Sequence, residues 1–315
     1  MSKLHSFAEL IKKTWRFGPL IALGNVVLSF GRSVLPTGVL RRISDARNSS
    51  IQQYLDPIAN KVLADYEPSR QPMQSDETVW VCWLQGEKDM PPIPSMCLAS
   101  IMKNSGKRKV RLITLDNFAD FVTIDDRIIK LYHAGKIKNC HFADILRVNL
   151  LSQRGGLWFD ATLYCVSTID ERFFSRQFHT IHIAPYGHFV SQCRWAVYCL
   201  SAKPGNRLMA LLERLFVEYL SRETLFVDYF LFDHFIDILY KKDSAIRELI
   251  DNVPISNPQI FGLSRILDKE FNPEDWNTLT NDTKIFKLNW KLHTPEYLES
   301  AGTNSYYHYL KNEVT

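Results

Sequence analysis

At 315 residues, with 46% hydrophobic and 23% charged residues, the chain has the make-up of a folded globular protein, which excludes a disordered or fibrous one. Its net charge is +4, but residues 1–50 hold eight Lys and Arg against Glu9 and Asp45, so the remainder is slightly acidic. A basic body for gripping nucleic acid is therefore excluded, and the length holds one large domain or a domain with an appendage.

Residues 1–65 read as two or three helices. Phe7, Leu10, Ile11, Trp15 and Phe17 alternate with Lys12, Lys13 and Arg16, an amphipathic basic pattern. Such a helix either lies on an anionic membrane surface or packs on the body with its lysines in water. Gly18–Phe30 is apolar, but a span needs ~20 residues, and no clean cleavage site follows it. The expected location is the cytoplasm, with peripheral contact to the inner face of the membrane. Glu67–Thr78 is polar, holds two prolines and has no periodicity, so it reads as a linker. The expected division is a basic helical segment over 1–75 and a main domain over 76–315.

Val79–Leu84 (VWVCWL) predicts a strand. Pro91, Pro92 and Pro94 precede a helix around Ser95–Ile101, as proline suits a first turn. Val110–Leu115 (VRLITL) is the next strand, and this spacing makes a parallel βαβ unit. Helices follow near Asp126–His133 and over Phe142–Arg154. In the latter, Ile145, Val148 and Leu151 share one face. Gly155-Gly156 stops it, because glycine takes the left-handed C-cap conformation freely. Leu157-Trp158-Phe159 reads as a buried strand, and Asp160 stands where it runs out. Short strands around His179–Ala184 and Trp195–Leu200 and helices over Leu208–Tyr219 and Asp228–Tyr240 complete the reading. The last sixty residues are mixed, with Asn289-Trp290-Lys291 the one suggestive cluster. Six cysteines (Cys82, Cys97, Cys140, Cys165, Cys193 and Cys199) form no C-x-x-C pair or zinc spacing. They read as buried free thiols in a reducing compartment.

Ligands of open α/β sheets sit at the carboxyl ends of the strands, which makes Asp160 a candidate site residue. Asp144 and Arg147 lie three apart on one helix face, as an intrahelical ion pair or as ligand contacts. Trp83 ends the first strand, as a core residue or as an aromatic platform. His141 is a turn residue or a site group. There is no P-loop, G-x-S-x-G elbow or H-E-x-x-H. Glycoside hydrolysis needs two facing carboxylates; Asp144 and Asp160 could be cast so, but the strand order favours nucleotide binding.

The run Ala143-Asp144-Ile145-Leu146-Arg147, the Gly155-Gly156 stop and the strand ending Asp160-Ala161-Thr162 resemble the capsular polysaccharide synthesis proteins. Those are relatives of glycosyltransferase family 32 and of the glucosyltransferase domains of large clostridial toxins. The resemblance extends loosely from about Val79 to about Lys291. It implies an α/β fold, a GT-A-type Rossmann-like nucleotide-sugar-binding domain with a helical N-terminal appendage. It implies transfer of a hexose, with retention, from a nucleotide sugar, UDP-linked, to a lipid-linked oligosaccharide acceptor of a surface or capsular polysaccharide. Under it, Trp83 stacks on the base and Asn117 bonds base or ribose. Asp144 and Arg147 hold the sugar hydroxyls, and Asn289, Trp290 and Lys291 complete the diphosphate site. Asp160 matches the first carboxylate of an Asp-x-Asp motif that holds Mn2+ or Mg2+. Thr162 stands where the second belongs, and a hydroxyl is a weaker ligand for a hard cation. That departure leaves a competing reading, a non-catalytic nucleotide-sugar-binding or scaffold protein of a membrane polysaccharide-assembly complex.

Overall fold

The computed structural model describes residues 12–30, 35–68, 77–185 and 189–314. The expected helix over Phe7, Leu10 and Ile11 and most of the linker lie outside them. Residues 12–17 are helical, and α1 (Pro19–Phe30) and α2 (Thr37–Ala64) follow.

The main body then runs β1 (Val79–Cys82), α3 (Pro92–Asn104), β2 (Val110–Ile113), α4 (Asp126–His133), α5 (Asn139–Gln153), β3 (Gly156–Asp160) and β4 (Leu163–Cys165). After these come α6 (Arg172–Ser175), β5 (Phe178–Thr180), β6 (Cys199–Ala202), α7 (Arg207–Arg222), α8 (Leu231–Lys242) and α9 (Ser244–Asp251). The chain closes with α10 (Pro273–Asn281), β7 (Ile285–Lys287), α11 (Pro295–Ser300) and α12 (Tyr306–Val314). Five strands form one sheet in the order β2-β1-β3-β6-β5. β1 pairs parallel with β2 and β3, and β6 pairs antiparallel with β3 and β5. The remaining two, β4 and β7, make an antiparallel ribbon.

The apolar runs VWVC and LWF follow from burial on both sheet faces. With side chains alternating, Trp80 and Trp158 enter the cluster built with α2, α5, α7 and α8. Val79, Val81, Leu157 and Phe159 enter the opposite one with α3 and α6. Helix α5 ends as its glycines demand: Gly155 and Gly156 have φ of 70° and 96°. A Cβ on Gly155 would lie 2.6 Å from Pro204 Cδ, so this turn needs glycine for space as well as for conformation.

Several elements are shorter than the sequence predicts, for physical reasons. The strand expected from Trp195 starts at Cys199, because Ala196 and Cys199 close a turn (Cys199 N to Ala196 O, 2.9 Å) and Trp195 donates its ring N–H to Asp233. The helix expected from Asp228 starts at Leu231, because Asp228 is held by Arg47 and His234. None of the six cysteines is in a disulfide, but Cys140 is exposed and Cys82 half-buried rather than inside.

The helical N-terminal region joins this body. Ile51, Leu55, Ile58 and Val62 of α2 lie in the cluster that holds Leu212, Phe216, Phe235 and Leu239 of α7 and α8. Arg47 reaches Asp228 at 2.5 Å, with under a tenth of either side chain exposed. It also donates to Asn25 Oδ1 at 2.6 Å and Asn48 Oδ1 at 2.9 Å. Burial works to raise the pKa of Asp228, but His234 and Arg47 hold it down at about 2. A depressed carboxyl adds stability that is whole above its unfolded pKa and is lost as pH falls through the folded one. Here that window runs from 3.8 down to about 2. Arg47→Met leaves a buried anion short of its cation, a change of about 3 kcal/mol. Urea unfolding at neutral pH should show a lower midpoint with unchanged slope, and the variant should lose less stability than the parent on acidification through that window.

Candidate functional site

The chain passes from β1 to β2 on one side, then back past β1 to β3 on the other. Connections that leave in opposite directions open a crevice at the carboxyl ends of the strands between them. Cys82 of β1 pairs with Asp160 of β3 at this edge, so Trp83 and Asp160 emerge side by side.

The Asp160 carboxylate is the hub. One oxygen, Oδ1, accepts from Arg147 Nη2 and from Trp158 Nε1, each at 3.0 Å. The other, Oδ2, accepts from Lys287 Nζ at 2.7 Å. Trp158 reaches it because residues two apart on a strand share a face. Burial alone would raise the pKa of Asp160, but Lys287 and Arg147 outweigh it and lower it, so the group stays an anion. Arg147 is itself held by several contacts, although its buried Nε meets no hydrogen-bond acceptor. It donates to the Val197 carbonyl at 2.5 Å, pairs with Asp144 at 3.4 Å, and lies over the rings of Trp158 and Phe232 at 4.9 and 5.5 Å. His141 stacks on Phe226 at 4.0 Å, with Nδ1 3.8 Å from Asp144.

Lys287 is the residue the sequence reading missed. It ends β7, opposite Leu163 of β4. The ribbon continues as Leu288 N donates to the Thr162 carbonyl at 2.8 Å, so a strand 127 residues downstream delivers its cation to Asp160. The sequence offers only a weak signal for it, the two adjacent apolar residues Ile285 and Phe286 before the lysine. The reading settled instead on Asn289, Trp290 and Lys291. Of these, Trp290 reaches the site edge, its ring meeting Trp83 edge-on at 5.6 Å. Asn289 caps its own turn, accepting from Lys291 N and Leu292 N. Lys291 is exposed, 5.7 Å from the Trp290 ring.

Trp83 is half-buried and donates its ring N–H to Asp89 O at 3.2 Å. Asn117 accepts from Thr114 N at 2.8 Å and donates to Leu112 O at 3.0 Å, so its amide ties the turn after β2. Thr162 is buried at the start of the ribbon. Among the described residues no group of three or more His, Cys, Asp or Glu could hold a metal. Both oxygens of Asp160 already face cations or an N–H, and Thr162 brings no charge. This set does not fit a hard divalent cation, which takes several charged oxygens. It presents two cations, two carboxylates and a pair of indoles at one edge. That suits a flat ring, an anion and a set of hydroxyls together.

The family model for capsular polysaccharide synthesis proteins matches residues 32–310. No curated protein matches the chain. A solved structure titled PaToxG glycosyltransferase is similar at 14% identity over 76% of this chain and 94% of that one, with a TM-score of 0.35, a likeness too slight to bear on fold or chemistry.

Asp160→Asn keeps the shape but leaves Arg147 and Lys287 facing each other across a neutral amide. The expected loss is about 2 kcal/mol, less than for a fully dry pair because the group is partly exposed. In calorimetry the double variant Asp160→Asn/Lys287→Met should recover a good part of the lost melting temperature, since the two residues are coupled.

Proposed function

As the chain belongs to the capsular polysaccharide synthesis family, we propose that it is a GT-A-type glycosyltransferase. It moves a hexose from a nucleotide sugar, UDP-linked, to a lipid-linked saccharide acceptor. The observation that carries this is Asp160 held between Arg147 and Lys287 at the carboxyl edge of the sheet, beside the Trp83–Trp290 pair. The indoles take the base, Asp144 and Arg147 take sugar hydroxyls, and Lys287 faces the diphosphate.

In the transfer step the bond from the anomeric carbon to the diphosphate oxygen breaks. The acceptor hydroxyl oxygen bonds to that carbon on the same face, and its proton passes to the departing diphosphate. Negative charge grows on the leaving oxygens, and preorganised cations stabilise it most where water is displaced. Lys287 supplies that charge in this reading, in the role that the family resemblance gives to Mn2+ or Mg2+.

A panel of nucleotide sugars, scored by donor hydrolysis and transfer with EDTA or Mn2+, tests the reading. Lys287→Met should lower turnover at least 100-fold, the scale of removing one stabilising donor. Asp144→Asn should spare UDP binding and impair the UDP-sugar. Trp83→Ala should weaken UDP itself about tenfold, as loss of base stacking does. Equal weakening of UDP and UDP-sugar by Asp144→Asn removes the sugar-contact role. UDP-sugar binding without hydrolysis or transfer in the parent would favour the non-catalytic reading.

We further place the protein on the inner face of the membrane. Among the described residues no helix is long and apolar enough to cross one. Trp15 is 87% exposed, and Leu20 and Leu23 of α1 are more than half exposed, next to Lys12 and Lys13. Anionic vesicles should sediment the protein at low salt and release much of it at high salt. The variant Trp15→Ser/Leu20→Ser/Leu23→Ser should bind at least tenfold more weakly.

A further inference from the structure

Beside the charged cluster lies a cavity of about 630 Å3 that the transfer step leaves unused. Its walls come from four parts of the chain: α1 and α2, Ile181 and Ile183 with residues from 189–198, the approach to α8 and its first turn, and Phe261. Most of that wall is carbon, from residues such as Leu28, Leu40, Ile183, Phe189 and Phe230. Ligand pockets have this character, roughly 300–1,000 Å3 with apolar walls and a few aimed polar groups.

The polar groups are few. Arg47 and Asp228 satisfy each other. Asp233 does not have such a partner: it accepts from Trp195 Nε1 at 3.0 Å, and no ion pair to it occurs among the described residues. Burial raises its pKa to about 7 against that hydrogen bond, and Asp144 adds to the rise. Val197 and Tyr198 form the wall shared with the charged cluster. Both line the cavity, yet the Val197 carbonyl accepts from Arg147 and the Tyr198 ring lies 4.9 Å from Lys287 Nζ.

We propose that this cavity is the acceptor subsite and that it takes a glycoside with an apolar aglycone. The aglycone lies against Leu28, Leu40, Ile183, Phe189 and Phe230, and a sugar hydroxyl hydrogen-bonds Asp233 beside the Tyr198 wall. The proposal rests on the transferase reading of the neighbouring cluster. A free sugar would set its hydroxyls against carbon, which is unfavourable without partners. A plain hydrocarbon would set the second carboxyl oxygen of Asp233, the one not bonded to Trp195, against carbon. An amphipathic glycoside matches both ends of the cavity. Helix α1, which supplies Leu28, also carries the exposed Leu20 and Leu23.

Calorimetry on the full chain with glucose, decanol and hexyl, octyl and decyl glucosides, all below micelle-forming concentrations, tests this without turnover. Glucose should not bind, and affinity should rise about fourfold per added methylene. Leu40→Arg and Phe230→Asp, both at partly exposed positions, should abolish glucoside binding and leave UDP binding unchanged. Asp233→Leu should make decyl glucoside bind no better than decanol. Absence of chain-length dependence, or unchanged binding by Leu40→Arg, with UDP binding intact, overturns the cavity assignment alone. Absence of UDP binding with cavity-dependent glucoside binding overturns the transferase reading and the acceptor role with it.

Discussion

The carboxylate of Asp160, shared between Arg147 and Lys287, is the contact on which the rest of the edge depends. It stands at the junction of three separately placed pieces: the last residue of β3, the middle of α5 and the end of β7. Each piece would otherwise leave a charge in a poorly hydrated place, and an unpaired charge there is far less tolerable than a paired one. One anion between two cations satisfies all three, and Asp144 beside Arg147 brings the cluster to two cations and two carboxylates. The same arrangement therefore ties the β4–β7 ribbon to the main sheet.

The N-terminal helices make a second junction of the same kind. Arg47 crosses from α2 to Asp228 near the end of the loop before α8, and the apolar residues of α2 merge with those of α7 and α8. The cavity lies where these helices meet the segment before β6. Its existence depends on both junctions: Tyr198 is held between it and Lys287, and Arg47 forms part of its wall.

What the sequence made legible follows the range of the interactions. The α5 stop at Gly155, the buried strand after it and the placement of Asp160 at its end are local, fixed by glycine's free left-handed conformation and by apolar runs. Trp83 was placed at the sheet edge because β1 is equally plain in the sequence. The parallel pairing of β1 with β2 appeared as the βαβ spacing implies. Lys287 was not legible, because a three-residue strand has too little pattern to stand out and its partner Asp160 lies on the main sheet. Trp290 was noticed for its composition, while its contact with Trp83 depends on a tertiary approach of segments over two hundred residues apart. Asn117 shows the reverse error of range: its position after β2 suggested a ligand, and its amide is used by the turn it sits in.

The ribbon that delivers Lys287 also dictates when the edge comes into being. Closing a loop of more than a hundred residues is an entropic burden met only when the intervening chain is already folded, and such non-local pairings are the slow ones. During synthesis Asp160 and Arg147 leave the ribosome long before Lys287 and Trp290. Through that interval the nascent chain carries a half-built edge with one cation and one indole missing. The complete constellation is thus a property of the finished protein, which keeps an incomplete chain from holding a ligand it has no means to process.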